Sequence, residues 1–298
     1  MFLNKLNFNY FYTFYIIILL FWGCNPKNDV KTLEQVSNQT ELNFSYNQKQ
    51  KTLVSAHRGG SGIANYPENA IETMQYLYDK GIQIFEIDVA ETKDQQLILM
   101  HDNSLQRTST GRQDVNQVTL AQIKEYFLVD DFKQTTSFKI PSFSEALIWG
   151  KDKPIYFMVD IKKDVDYKDL IKEIRSNNMQ NKVVLVSYSV GQAKKLNRLA
   201  PEMLLSVSMR NEREFNEMMS SGIPTEKMVA FTGTIRSTKE LYNKIHDQNI
   251  MVIFGTLGNI DKSAKARGNT IYQDLEKEGV DIFATDRPLE VYQTINKN

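Results

Sequence analysis

From Leu53 onward, short apolar runs alternate with stretches of helical period. The runs are Leu53–Ala56, Ile82–Val89, Leu97–His101, Ile155–Ile161, Val183–Ser187, Leu204–Val207, Met228–Phe231, Ile250–Phe254 and Asp281–Ala284. Their length and their β-branched and aromatic residues predict strands. Between most of them apolar residues recur at the spacing of an amphipathic helix. In Pro67 to Lys80, Ile71, Met74, Leu77 and Tyr78 form one stripe, proline suits a first turn, and Gly81 is placed for a C-cap. Tyr167–Ser176, Gly191–Leu199, Glu212–Ser220 and Lys239–Asp247 behave in the same way.

Nine runs are one more than a closed eight-stranded barrel uses. The link between Val89 and Leu97 is only seven residues, AETKDQQ, with a turn signal at Lys93-Asp94. A parallel crossover needs a dozen or more residues, so these two strands form an antiparallel hairpin. Eight parallel strands then remain. The pattern predicts an α/β fold, a (β/α)8 TIM barrel with an antiparallel hairpin inserted after the second strand, over residues 52–298. The hairpin folds the chain back so that His101 returns beside Glu86 and Asp88. No internal repeat of constant period is present.

The first 51 residues read differently. Tyr10 to Trp22 is a 13-residue apolar run preceded by a lone charge at Lys5. It is short for a membrane span, which needs about 20 residues, and it fits a signal-peptide core. Gly23-Cys24 follows directly and resembles the lipobox of bacterial lipoproteins, in which the cysteine is lipidated. Residues 1–24 are therefore expected to be a lipoprotein signal peptide and Cys24 a lipid anchor in the cell envelope. The alternative is an uncleaved anchor with an incidental cysteine. Residues 25–51 are polar, lack an apolar stripe and predict a tether.

Composition narrows the function classes. Of 298 residues, 41% are hydrophobic and 24% charged, which excludes a mainly disordered chain. Lys+Arg and Asp+Glu both number 36, so bulk electrostatics gives no reason to expect nucleic-acid binding. A single cysteine excludes an intramolecular disulfide and a multi-cysteine zinc site.

Three segments carry polar groups where a barrel wants apolar ones. His57 and Arg58 close the first strand and run into Gly59-Gly60. In Phe85-Glu86-Ile87-Asp88-Val89, period 2 puts both acids on one face and the apolar set on the other. The apolar set packs on helices, so Glu86 and Asp88 point into the barrel mouth, at the carboxyl ends where barrel enzymes keep their chemistry. Met158-Val159-Asp160-Ile161-Lys162 repeats the pattern with one acid and one base. Buried carboxylates on one strand repel. Either a hard divalent ion, Mg²⁺ or Ca²⁺, sits among Glu86, Asp88 and Asp160, or Glu86 and Asp88 pair with Arg58 and Lys162 as a structural ion cluster. Two of the three histidines, His57 and His101, fall at the same rim and point to acid–base work; the third, His246, ends a helix and is assigned no chemistry.

The set HRG (57–59), PEN (67–69), ExD (86–88), TKD (92–94), HD (101–102), RTSTG (107–111) and GVDIFATDRP (279–288) resembles the glycerophosphodiester phosphodiesterase family. That resemblance runs over most of residues 53–296. It implies a barrel related to the phosphatidylinositol phospholipase C architecture and one divalent cation held by Glu86, Asp88 and a third carboxylate, Asp160. It further implies His57 and His101 as the acid–base pair, Arg58 and Lys162 as phosphate contacts, and Glu68 as a site residue. The substrate would be a small glycerophosphodiester, cleaved to glycerol 3-phosphate and an alcohol. Two departures stand out. Asp160-Ile161-Lys162 replaces the family's ExK, and Phe254–Asn259 replaces a Trp-Thr-Val-Asn run. They leave room for two alternatives: a barrel acting on intact phospholipid or glycan phosphodiesters, and a non-catalytic binding lipoprotein.

Overall fold

Alternation of inward and outward side chains decides how the strands assemble. The computed structural model describes residues 42–48 and 50–297. The strands are β1 (Leu53–Ala56), β2 (Ile84–Glu91), β3 (Leu97–Leu99), β4 (Phe127–Val129), β5 (Thr135–Lys139), β6 (Tyr156–Ile161), β7 (Val183–Ser187), β8 (Leu204–Ser208), β9 (Met228–Phe231), β10 (Val252–Gly255) and β11 (Ile282–Thr285). Eight of them, β1, β2 and β6 to β11, pair in parallel, and β1 bonds to both β11 and β2, so the sheet closes. Each is followed by at least one helix before the next barrel strand, with two (Asn259–Arg267 and Thr270–Glu278) between β10 and β11. This is the expected (β/α)8 barrel. Ile84, Tyr156, Met158, Val184, Val229, Ile253 and Ile282 cluster inside it. Phe85, Ile87, Val89, Phe157, Val159 and Ile161 face the helices in the outer core.

β3 runs antiparallel to β2, with Val89 opposite Leu99 and Glu91 opposite Leu97. The hairpin inferred from the short link is therefore present. Beyond it, residues 102–142 form an unanticipated insertion. It holds the antiparallel β4–β5 pair and a four-residue helix, Leu120–Ile123, closed by a Thr119/Gln122 capping box. Leu105, Val115, Val118, Ile123, Leu128 and Ile140 of this region pack with Ala90, Ile98 and Met100 of the hairpin in a second, smaller core. β4 is only three residues long and β5 (TTSFK) is mostly polar, so neither stands out as a strand in the sequence.

Two sequence expectations need correction. The helix expected over Pro67–Lys80 begins only at Ile71 and ends at Tyr78. Asn69 adopts a left-handed φ of 55°, which breaks helical continuation, and the preceding turn is spent on the loop after β1: Asn69 N–H donates to Arg58 O at 2.7 Å. The tether reading of 25–51 also stops short. Phe44 is 7% exposed and packs edge-on to Tyr156, the first residue of β6, with centroids 4.9 Å apart. Ser45 bridges to Ile250, and Tyr46 stacks 3.6 Å from His246, whose Nε2 lies 2.8 Å from Asp281 Oδ2. Phe44 and Tyr46 thus cover the amino-terminal end of the barrel. Phe44→Ala is expected to cost about 3 kcal/mol, as for a large buried aromatic. Denaturant unfolding measures it, and an unchanged midpoint with unchanged slope would show that the contact is idle.

The signal segment 1–24, its Cys24 and tether residues 25–41 lie outside the described residues. Among the described residues no helix is long and apolar enough to cross a membrane.

Candidate active site

Register places the first pair of groups. Ala56 at the end of β1 lies opposite Thr285 at the end of β11, so the next residues on each chain, His57 and Asp286, emerge side by side at the carboxyl end. His57 Nδ1 lies 2.7 Å from Asp286 Oδ1. Burial opposes the imidazolium, but the Asp286 hydrogen bond and the charges of Glu86 and Asp286 outweigh it, and the His57 pKa is raised. Asp286 is held in turn by Ser61 Oγ and by the backbone N–H of Gly258, each at 3.3 Å. Arg58 takes a left-handed φ of 55° that points its N–H at Glu86 Oε2, 2.7 Å away. Gly60 follows at φ 120°, and a Cβ there would sit 2.6 Å from Leu77 Cδ1, so only glycine lets the loop lie this close to helix Ile71–Tyr78.

The acids come together as period 2 predicted. β2 and β6 align Asp88 with Asp160 and Glu86 with Met158. One oxygen from each of Glu86, Asp88 and Asp160 falls within 4.8 Å of the others. Lys162 Nζ sits 2.6 Å from Asp88 Oδ1 and 2.7 Å from Asp160 Oδ2. Asn69 Nδ2 donates to Asp88 Oδ2 at 2.8 Å, and Tyr188 Oη donates to Asp160 Oδ1 at 2.9 Å. Burial would raise Asp88, yet Lys162 and Asn69 hold it below its ordinary value. Among the described residues Glu86 has the Arg58 N–H and no paired cation; burial and the Asp88 charge push its carboxyl up to about 8. Of the ion cluster that the spacing left open, the structure holds only part: Lys162 pairs with Asp88, but the Arg58 guanidinium turns to Glu68 and only its N–H reaches Glu86. Lys162 pairs with two of the acids, while Glu86 has no cation beside it among the described residues and favours its proton. Three carboxylate oxygens this close, one of them short of positive charge, fit a hard divalent cation.

His101 arrives by the hairpin. Met100 N–H donates to Asp88 O at 2.9 Å, which fixes the returning chain beside the acids. His101 Nδ1 lies 2.6 Å from Asp102 Oδ1, and its Nε2 lies 2.9 Å from Arg58 Nη2. Arginine can only donate, so in this arrangement Nε2 accepts and the ring proton sits on Nδ1, toward Asp102. Arg107 grips Asp102 through Nε at 2.6 Å and holds that carboxyl far below the usual range. The same guanidinium takes both oxygens of Glu68, at 2.7 and 2.8 Å. Glu68 also receives Arg58 Nη1, at 3.2 and 3.3 Å, and is only 4% exposed. It sits between two guanidinium groups rather than on the open cavity. Arg58 Nε is buried and finds no acceptor among the described residues.

His57, His101, Glu86, Asp88, Asp160 and Tyr188 line one side of a cavity of about 260 Å³; Val186, Phe231, Ile253 and Leu257 are among the residues of the other. Three surface clefts are larger, about 330, 620 and 710 Å³, but none holds an imidazole or the acid cluster. Chemistry rather than size selects the site.

A model of the Glycerophosphoryl diester phosphodiesterase family matches residues 57–290, most of the barrel. The chain belongs to that family. It is 30% identical over 163 residues to the glycerophosphodiester phosphodiesterase of Caldanaerobacter subterraneus subsp. tengcongensis, covering 53% of this chain and 66% of that protein. It is 26% identical over 245 residues to the enzyme of that name from Bacillus altitudinis, covering 80% and 95%. Among solved structures, a glycerophosphoryl diester phosphodiesterase from Parabacteroides distasonis superposes with a TM-score of 0.80 at 28% identity, covering 85% of this chain and 88% of that one. An Oleispira antarctica phosphodiesterase, solved with its product sn-glycerol-3-phosphate, shares the fold with a TM-score of 0.64 at 17% identity, covering 83% and 98%.

In this diester phosphodiesterase barrel, several partners of the predicted residues carried no assigned role in the sequence. Asp286 and Asp102 stood inside quoted motifs, yet their pairing with His57 and His101 depends on strand register and on the insertion. Asn69 and Arg107 likewise sit in the PEN and RTSTG segments; their contacts cross 19 and 39 residues. Tyr188, one residue past β7, had no signal at all. The departing stretch Phe254–Asn259 contributes Leu257 to the cavity wall and the Gly258 N–H to Asp286.

Proposed function

We propose that this protein hydrolyses glycerophosphodiesters to glycerol 3-phosphate and an alcohol, by acid–base catalysis at a metal-assisted site. The observation that carries the reading is the pairing of two imidazoles, each pinned at Nδ1 by its own carboxylate, within one cavity that also holds three clustered acids. Pinning Nδ1 leaves Nε2 as the working nitrogen of each ring, that of His101 resting against Arg58 Nη2. One imidazole takes the proton of the attacking hydroxyl, from water directly or from the neighbouring glycerol hydroxyl, in which case water then opens the cyclic phosphate to glycerol 3-phosphate by the same pair. The other gives a proton to the leaving alcohol oxygen as the phosphorus–oxygen bond breaks. Arg58, with an unmatched buried donor at Nε, and Lys162 supply positive charge for the phosphate oxygens. Glu86, Asp88 and Asp160 would hold a Mg²⁺ or Ca²⁺ ion, which when bound supplies Lewis-acid stabilisation of charge on the phosphate.

The family match and the relatives' names support this substrate class, and the small cavity suits a compact diester. The test is incubation with glycerophosphocholine, glycerophosphoethanolamine or phospholipid vesicles, in Mg²⁺ or Ca²⁺, with glycerol 3-phosphate measured by a coupled dehydrogenase. Release from the water-soluble diesters and not from vesicles is expected. Absence of glycerol 3-phosphate from every diester at saturating metal would overturn the reading.

A further inference from the structure

Asp261 plays no part in the chemistry above, yet it lies directly behind one of its hydrogen bonds. It sits in the first turn of helix Asn259–Arg267 and is 3% exposed. Its Oδ1 accepts from Tyr272 Oη at 2.9 Å. Its Oδ2 accepts from Thr285 Oγ1 at 2.9 Å and from the backbone N–H of Asp286 at 2.8 Å. The donors are themselves directed. Thr285 Oγ1 accepts from Arg287 N–H at 3.0 Å, so its own proton is left for Asp261. Arg287 Nη1 donates toward Tyr272 Oη at 3.3 Å, which turns the phenol proton the same way. A buried carboxylate with no cation beside it is costly unless several donors converge on it. Here three do, and one is the backbone of the residue that orients His57.

The placement matters because β11 ends at Thr285 and the next helix starts at Pro288. Asp286 therefore lies beyond the sheet ladder, in a turn. Its N–H would otherwise lack a partner, and rotation of that peptide would carry the carboxylate off His57 Nδ1. A misplacement of about 1 Å in a catalytic group can cost roughly 100-fold. We propose that Asp261 is a positioning residue: by clamping the Asp286 N–H it fixes the carboxylate that holds the His57 ring. The inference rests on the acid–base reading of His57 for its kinetic consequence, but not for its structural one.

The test uses the full chain with Mg²⁺ or Ca²⁺ present, labelled with ¹⁵N-histidine. Asp261→Ala is expected to lower kcat by about 10- to 100-fold with KM within about 3-fold. It is also expected to abolish or broaden the His57 Nδ1–H resonance while leaving that of His101 in place. Asp261→Asn keeps an acceptor for the Asp286 N–H, and should retain both kcat and the resonance. A folded Asp261→Ala protein with wild-type kcat and an intact His57 resonance overturns the proposal. If that variant does not fold, Asp261→Glu decides it: one extra methylene pushes the clamp against Asp286, and unchanged kcat and resonance in that variant again overturn the proposal. Failure of the acid–base reading looks different, as turnover retained in His57→Ala, and the resonance still tests the clamp in that case.

Discussion

Alanine in place of His57 or of His101 is expected to lower kcat on a glycerophosphodiester by about 10² to 10⁴-fold, the range for loss of a positioned general acid or base. Both rings sit in the rim, 21% and 33% exposed, so neither substitution opens a core cavity and the circular dichroism spectrum should be unchanged. The two losses are not expected to multiply in the double variant. One proton leaves and one arrives in a single substitution at phosphorus, so removing either group already disables the pair. Turnover near that of the wild type in either single variant, measured at saturating substrate, would remove that histidine from the mechanism.

The second large effect concerns the acid cluster. Chelation is expected to abolish turnover, and added Mg²⁺ or Ca²⁺ to restore it. Asp88→Asn should act more severely than Asp160→Glu. Asp88 is 1% exposed and shares its oxygens with Lys162 and Asn69, so the neutral amide both weakens the cation site and leaves the Lys162 charge half paired. Asp160→Glu keeps the charge and lengthens the arm by one methylene. Calorimetric titration with metal and steady-state kinetics would measure both. Full activity after exhaustive chelation would contradict the cation's role; equal metal affinity in Asp88→Asn and wild type would remove Asp88 from the ligand set.

What could be read from the chain depended on how far its cause reaches. Glu86, Asp88 and Asp160 were legible because period 2 is a local property of any strand, and the apolar neighbours Ile87 and Val159 state which face is out. The hairpin was legible because seven residues cannot span a crossover. Residues whose role depends on contacts distant in sequence were not legible. Asn69 gave up a helical conformation to reach Asp88, and Arg107 links Glu68 to Asp102 in an insertion whose longest apolar run, Tyr126–Val129, is only four residues. Leu42, Phe44 and Tyr46 alternate with polar residues, a short period-2 signal hidden inside a polar stretch. Their burial is decided by the open end of a barrel that the local sequence does not describe.

The insertion between β3 and helix Phe143–Gly150 has a further consequence. One imidazole grows from the barrel wall, while the other sits where the inserted layer leaves it, braced by Asp102 and Arg107 from that layer. The inserted layer packs on a smaller apolar cluster that it shares with the β2–β3 hairpin through Ala90, Ile98 and Met100, so loosening there reaches His101 while the other barrel strands hold. Catalytic competence is then the more fragile property. A lesion at Leu105 or Ile123 would silence the protein at a temperature where most of its mass is still folded.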